Sequence, residues 1–162
     1  MPHKNPFVLR KNIKTKKTEN AGRFAIVASK YNARYVDSML RAAKALLTKA
    51  GASEVKIVRV PGAYEIPVVA ARLARSETRF AAILCLGVVI RGQTQHAQLI
   101  GEAVTSALTQ LQIAHELPII HEVLLLENEE QAKVRCLSKD HNRGGEAAQT
   151  ALDMAANMRD IE

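Results

Sequence analysis

Four short runs of apolar, β-branched residues punctuate the chain, and between them apolar positions recur every three or four residues. The first pattern is that of buried strands, the second that of amphipathic helices. Phe24-Ala25-Ile26-Val27-Ala28 reads as the first strand. A polar connection over residues 29–35 leads to Val36, Met39, Leu40, Ala43, Leu47 and Ala50 at helical spacing, and Gly51 stops that helix. Residues 55–60 form a second strand, broken by Pro61-Gly62. A helix then runs to about Ala74, with Pro67 tolerated in its first turn. The longest apolar run, residues 80–90, predicts a central strand buried on both faces. A long helix follows, with Leu99, Ala103, Ala107 and Leu111 as its expected apolar stripe. Residues 117–126 predict a fourth strand, and Asn128 caps a short helix ending at Leu137. Gly144-Gly145 is expected to precede a last helix with the stripe Ala148, Ala151, Leu152, Ala155 and Met158.

The order β-α-β-α-β-α-β-α-α predicts an α/β fold: a four-stranded parallel sheet in a three-layer α/β/α arrangement, joined by right-handed crossovers. Ligands of such sheets bind along the carboxyl edge, where strands turn into helices. Two of these junctions are distinctive: Val60-Pro61-Gly62-Ala63-Tyr64-Glu65-Ile66-Pro67 and Ile90-Arg91-Gly92-Gln93-Thr94-Gln95-His96.

The 162 residues suit one domain with a sizeable core. With 48% hydrophobic and 24% charged residues, and no apolar window near the roughly 18 residues of a membrane span, the chain reads as soluble, with no membrane partner. The net charge of +7 changes meaning once divided. Lys4, Arg10, Lys11, Lys14, Lys16 and Lys17 face Glu19 alone in the first 20 residues, whereas the rest holds 17 basic and 15 acidic side chains. We therefore expect a basic, disordered arm over residues 1–22 and a single domain over 23–162. Nucleic acid is not expected as a partner beyond weak contacts of the arm. Cys85 and Cys136 form no motif, which suits a reduced, cytoplasmic protein.

A helix start leaves backbone N–H groups without intrahelical partners and carries partial positive charge. Gly92, Gln93 and Thr94 therefore suit a phosphate or carboxylate; an ordinary capped helix start is the alternative. His96 stands within a turn of that place and titrates near neutrality, so it suits proton transfer; a structural histidine is the alternative. Glu65 suits the dipole of its own helix, or a polyol. Tyr31 and Tyr64 suit stacking on a ring, or core packing. Arg135, on the short helix after the fourth strand, offers a phosphate fork or is a plain surface arginine. Arg143 and Glu146 flank Gly144-Gly145. His121 and His115 have no metal-like spacing with His96, and Walker, G-x-G-x-x-G, C-x-x-C and nucleophile-elbow motifs are absent.

Residues 23–160 resemble the lumazine synthases of riboflavin biosynthesis. The resemblance rests on the two junctions above, with Gly87-Val88-Val89 leading into the second. It rests also on Val27-Ala28-Ser29-Lys30-Tyr31-Asn32, Glu130-Gln131-Ala132, Arg135, Asn142-Arg143-Gly144 and Glu146-Ala147-Ala148. It implies a flavodoxin-like fold and condensation of 5-amino-6-ribitylaminouracil with 3,4-dihydroxy-2-butanone 4-phosphate to 6,7-dimethyl-8-ribityllumazine, releasing phosphate and water, with no metal and no cofactor. By resemblance His96 is the acid/base and Glu146 orients it. The amides of Gln93 and Thr94, with Arg135, hold phosphate. Tyr31 stacks on the pyrimidine, Ala63, Tyr64 and Glu65 receive the ribityl chain, and the Val89–Ile90 backbone meets the pyrimidine edge. His121 and Arg143 stand at two further ligand-binding positions. The resemblance also implies a homo-pentamer whose sites lie between subunits, with Arg135 and the strand-four ring supplied by the neighbour. It implies further a shell of twelve pentamers in some members, and riboflavin synthase as a partner.

The chain departs from the family's pattern at particular places. His121-Glu122 replaces an aromatic followed by a small residue, Arg143 replaces a lysine, Ala97-Gln98 replace an aromatic and an acid, and Ser138-Lys139-Asp140-His141 replace a glycine-rich turn. The competing expectations are a diverged paralogue that binds a lumazine or flavin, or builds a shell, with little turnover, and a generic FMN binder. Against the latter, this chain lacks the phosphate loop after the first strand that such binders use.

Overall fold

A computed structural model of the chain describes residues 20–162. The arm expected over residues 1–22 lies outside them as far as residue 19. The elements are β1 (Gly22–Ser29), α1 (Ala33–Lys49), β2 (Ala52–Val60), a 3₁₀ turn (Ala63–Glu65) running into α2 (Ile66–Ala74), β3 (Ala82–Ile90), α3 (His96–His115), β4 (Ile119–Leu126), α4 (Glu129–Leu137) and α5 (Arg143–Asp160). The strands form one parallel sheet in the order β2-β1-β3-β4. The chain therefore reverses its winding between β1 and β3, and a crevice opens at the carboxyl end of such a switch point.

Side chains alternate across each strand, so the sheet sorts them into two cores. Phe24, Ile26, Leu84 and Leu86 pack with Met39, Leu47 and Ala151 on the α1/α4/α5 side. Ala25, Val27, Ile83 and Cys85 pack with Ile66, Val104 and Leu108 on the α2/α3 side. Residues 82–88 of β3 are buried throughout, as a continuous apolar run predicts for a central parallel strand. The two cysteines are free, buried and on opposite faces, so the sheet stands between them. Burial pushes the Cys85 thiol up to about 12. Burial, helped by the nearby Glu122 carboxylate, pushes Cys136 up to about 11.

Three local readings change. The buried stripe of α3 is Ala97, Val104 and Leu108, with Ile100 and Leu111 partly buried. Leu99 is 60% exposed and Ala103 is also exposed. The expected stripe was displaced because α3 carries apolar residues on two faces, and spacing alone does not say which meets the sheet. Strand β4 starts at Ile119, because Pro118 has no N–H for a ladder. Gly144 and Gly145 lie inside α5, whose cap is Asn142: its side chain accepts from the Gly144 N–H at 2.9 Å.

The reason for one of those glycines is a helix crossing. A Cβ on Gly144 would collide with the backbone carbonyl of Met39 in α1, whereas a Cβ on Gly145 meets nothing within 4 Å. Gly144→Ala should therefore destabilise the domain by about 1–3 kcal/mol or more, the usual cost of overpacking. Gly145→Ala should be neutral, or stabilising by up to about 1 kcal/mol, since alanine favours helix. Denaturant unfolding of the two variants checks this, and equal effects would refute the crossing as the cause.

Candidate active site

Three loops build the carboxyl edge, and the first two are fastened by hydrogen bonds. After β1, Lys30 N–H donates to the Val60 carbonyl at 2.7 Å and Tyr31 N–H to that of Pro61 at 3.0 Å. Asn32 takes a left-handed conformation (φ 55°), which a short polar side chain tolerates. Its amide donates to the Val88 carbonyl at the end of β3, 2.8 Å away. On the other side, Arg59 Nη2 donates to the Ser29 carbonyl at 2.9 Å while Nη1 pairs with Asp37 at 2.8 Å. Tyr31 thus projects from a braced backbone with its side chain 73% exposed. After β2, Glu65 Oε2 accepts from the Gly62 N–H at 2.9 Å, so one of its oxygens closes its own turn.

After β3 the chain behaves differently. Arg91 turns away, pairing with Glu127 at 3.0 Å. Helix α3 begins at His96 with Gln95 as its cap residue, yet Gln95 makes no side-chain capping bond. The nearest substitute is Thr94 Oγ1, which accepts from the His96 N–H at 3.4 Å. By contrast, Asn128 and Asn142 cap α4 and α5. The first-turn amides of α3 are therefore available to an anion.

These loops enclose a cavity of about 900 Å³. Tyr31, Ala63, Tyr64, Glu65, Val89, Ile90, Thr94 and His96 all line it, so eight of the positions singled out in the sequence meet in one place. Gln93 lies between the lining residues Gly92 and Thr94. The sequence reading missed Leu99, Ile100 and Ala103, which form the apolar wall along α3. It also gave no role to Asn32 and Arg59, whose signal, a polar side chain beside a strand end, is too common to stand out.

Arg135, His121, Arg143 and Glu146 do not line this cavity. Arg135 is exposed on the last turn of α4. His121 faces α3 from the edge strand: its Nδ1 accepts from the Val123 N–H at 3.2 Å and its Nε2 lies 2.7 Å from Thr105 Oγ1. With Nδ1 accepting, the neutral ring carries its proton on Nε2 and donates to Thr105. Glu122 faces the other way. It is 6% exposed, and its Oε1 accepts from Arg143 Nε at 2.7 Å. Arg143 Nη1 donates in turn to Glu146 Oε2 at 2.8 Å. Within one chain Glu146 is therefore bonded to Arg143, not to His96. Among the described residues no group of three or more His, Cys, Asp and Glu side chains is placed to hold a metal ion, and no helix is long and apolar enough to cross a membrane.

A flavodoxin-like parallel sheet with a cavity at its switch point, a helix start without a side-chain cap and an imidazole in that helix's first turn defines a doubly wound α/β protein with its candidate site at the carboxyl edge. Residues 21–159 match the family model described as 6,7-dimethyl-8-ribityllumazine synthase, and the chain belongs to that family. It is 40% identical over 140 residues to the 6,7-dimethyl-8-ribityllumazine synthase of Stenotrophomonas maltophilia (strain R551-3), covering 85% of this chain and 90% of the relative. It is 38% identical over 147 residues to the protein of that name from Coxiella burnetii (strain RSA 493 / Nine Mile phase I), covering 90% and 97%. The corresponding protein of Kineococcus radiotolerans is 40% identical over 141 residues, covering 86% of each chain.

Burial, which penalises the charged ring, holds the His121 imidazole's pKa below its usual value. The folded state thus binds a proton at His121 less readily than the unfolded chain does. Its contribution to stability is present above the ordinary histidine range and is lost as pH falls through the lowered value. Relative to His121→Phe, which does not titrate, the wild-type protein should lose stability as pH drops from 7 toward 5. Denaturation midpoints across that range check the sign; a wild-type gain on acidification would contradict it.

Proposed function

We propose that this chain catalyses the condensation of 5-amino-6-ribitylaminouracil with 3,4-dihydroxy-2-butanone 4-phosphate, giving 6,7-dimethyl-8-ribityllumazine, phosphate and water. Family membership supports the reaction. The observation that carries the site is the meeting of His96, the uncapped start of α3 and Tyr31 around one cavity of ligand size. In this reading the Gln93 and Thr94 amides bind the phosphate, the leaving group whose charge grows as it departs. His96 shuttles protons during imine formation, phosphate loss and ring closure. Tyr31 stacks on the pyrimidine, Ala63, Tyr64 and Glu65 take the ribityl chain, and the Val89–Ile90 backbone reads the pyrimidine edge. Holding two reactive substrates in contact supplies much of the acceleration, which suits a site with few catalytic groups.

The remaining groups come from a neighbouring copy. Arg135 adds its guanidinium to the phosphate, His121 lays its ring beside the pyrimidine, Arg143 binds ligand, and Glu146 orients His96, all across a subunit boundary. Support comes from the sheet, which separates the Arg143 and Glu146 cluster from the cavity within one chain, and from apolar side chains left bare on its rim. Tyr31, Tyr64 and Leu99 are each 60% exposed or more. The assembly is a pentamer, with a shell of twelve pentamers as the alternative. The enzyme works in the cytoplasm and passes its product to riboflavin synthase.

Mixing the purified protein with both substrates should produce lumazine fluorescence; its absence at saturating substrate would overturn the reaction. His96→Ala should reduce turnover by about 10- to 10⁴-fold, with a smaller effect on substrate binding. Unchanged turnover would remove the imidazole from the mechanism. Arg135→Ala should raise the KM for the butanone phosphate far more than that for the pyrimidine. Co-assembled His96→Ala and Arg135→Ala subunits should regain activity, because some composite sites then hold both native residues. No recovery after demonstrated subunit exchange would argue for sites built within single chains.

A further inference from the structure

The inward positions of β4 on the α5 side are Ile120, Glu122 and Leu124, two of them apolar and the middle one a carboxylate that is almost wholly buried. Among the described residues only Ser29 and Glu122 are polar side chains in the buried class. A carboxylate in such a place costs several kcal/mol of desolvation unless it is paired, and an apolar residue would suit the alternation better. Its presence there calls for a task, and its geometry indicates one. Arg143 reaches inward with Nε to Glu122 and sideways with Nη1 to Glu146, while its side chain stays 34% exposed at the start of α5. Neither carboxylate engages Nη2. A guanidinium is planar and rigid, so two bonds at different nitrogens fix the direction of the third. Glu146 depends on the same arginine: its Oε2 is held by Arg143, while its Oε1 is buried without a partner.

We propose that Glu122 is a positioning residue: it fixes the Arg143 guanidinium from inside the sheet and, through Arg143, sets the place of the Glu146 carboxylate and the direction of the remaining Nη2 donor. The inference rests on the reading that Arg143 and Glu146 belong to the catalytic site. A single arginine bridging two carboxylates leaves the trio with one net negative charge. Removal of Glu122 lets the arginine close fully on Glu146, forming a neutral pair that no longer points outward. The effect is thus on alignment and on the charge beside the site, not on bonds to the ligand.

The test is a double-mutant cycle on the assembled, full-length protein, with KM for the pyrimidine and the pH profile of kcat as readouts. Glu122→Gln, which keeps the shape but removes the charge, should raise that KM about tenfold or more, the scale of one charged hydrogen bond. It should also shift the acidic limb of the pH profile. Arg143→Ala should lose at least as much, and adding Glu122→Gln to Arg143→Ala should change nothing further, because Glu122 acts only through the arginine. Glu122→Asp, which keeps the charge but withdraws it, should fall between wild type and Glu122→Gln, and it carries the same cycle if the amide variant fails to assemble. Additive effects in the cycle, or wild-type KM and pH profile in Glu122→Gln beside an impaired Arg143→Ala, would overturn the positioning role while leaving the site reading intact. Wild-type kinetics in Arg143→Ala would instead remove Arg143 from the site, and the proposal with it.

Discussion

A parallel sheet covered on both faces forces each side chain of a strand to one side or the other, and that constraint shapes everything else in this protein. Residues 82–88 of β3 are buried on both faces, so the centre of the sheet is a continuous apolar strand. His121 and Glu122 are neighbours in sequence but enter different layers: the imidazole meets Thr105 of α3 and the carboxylate meets Arg143 of α5. The cavity lies on the α2/α3 side and the strand ends. The charged trio lies on the other. Within one chain the sheet keeps the two sets of groups apart, so under the proposed reaction they meet only between two copies.

The carboxyl edge is rigid for reasons that are local and cheap. Asn32 ties the first loop to β3, Arg59 ties it to β2 and α1, and Glu65 closes its own turn. The bonds to the Val88 and Ser29 carbonyls and to the Gly62 N–H each satisfy a backbone group. Together they hold Tyr31 and residues 62–65 before any ligand arrives, which lowers the cost of ordering the site. The start of α3 has no capping side chain from Gln95. Asn128 and Asn142, by contrast, cap α4 and α5 with their side chains.

The fold was legible because its strands are apolar, β-branched runs, buried throughout over residues 24–29 and 82–88, and because Gly51, Pro61-Gly62 and Asn128 punctuate them clearly. The cavity side of the site was legible because its residues are contiguous: each junction carries several lining positions in one short segment. What was not legible depends on three-dimensional choice. The apolar residues of α3 occupy two faces, and only packing decides that Val104 and Leu108 go inward while Leu99 and Ala103 stay out. Gly144 read as punctuation before a helix, yet it serves a contact with Met39 more than a hundred residues away in sequence. Glu122 read as an added carboxylate beside His121, because its link to Arg143 requires knowing which face of β4 it takes.

The most direct test of the two-copy requirement is to follow specific activity and mass together through a dilution series, with sedimentation velocity reporting the species present. The account predicts that lumazine formation per chain falls in step with the appearance of a 17.7 kDa species. It predicts also that isolating this species at any substrate concentration yields none. A folded 17.7 kDa protein that retains the specific activity of the assembly would contradict it.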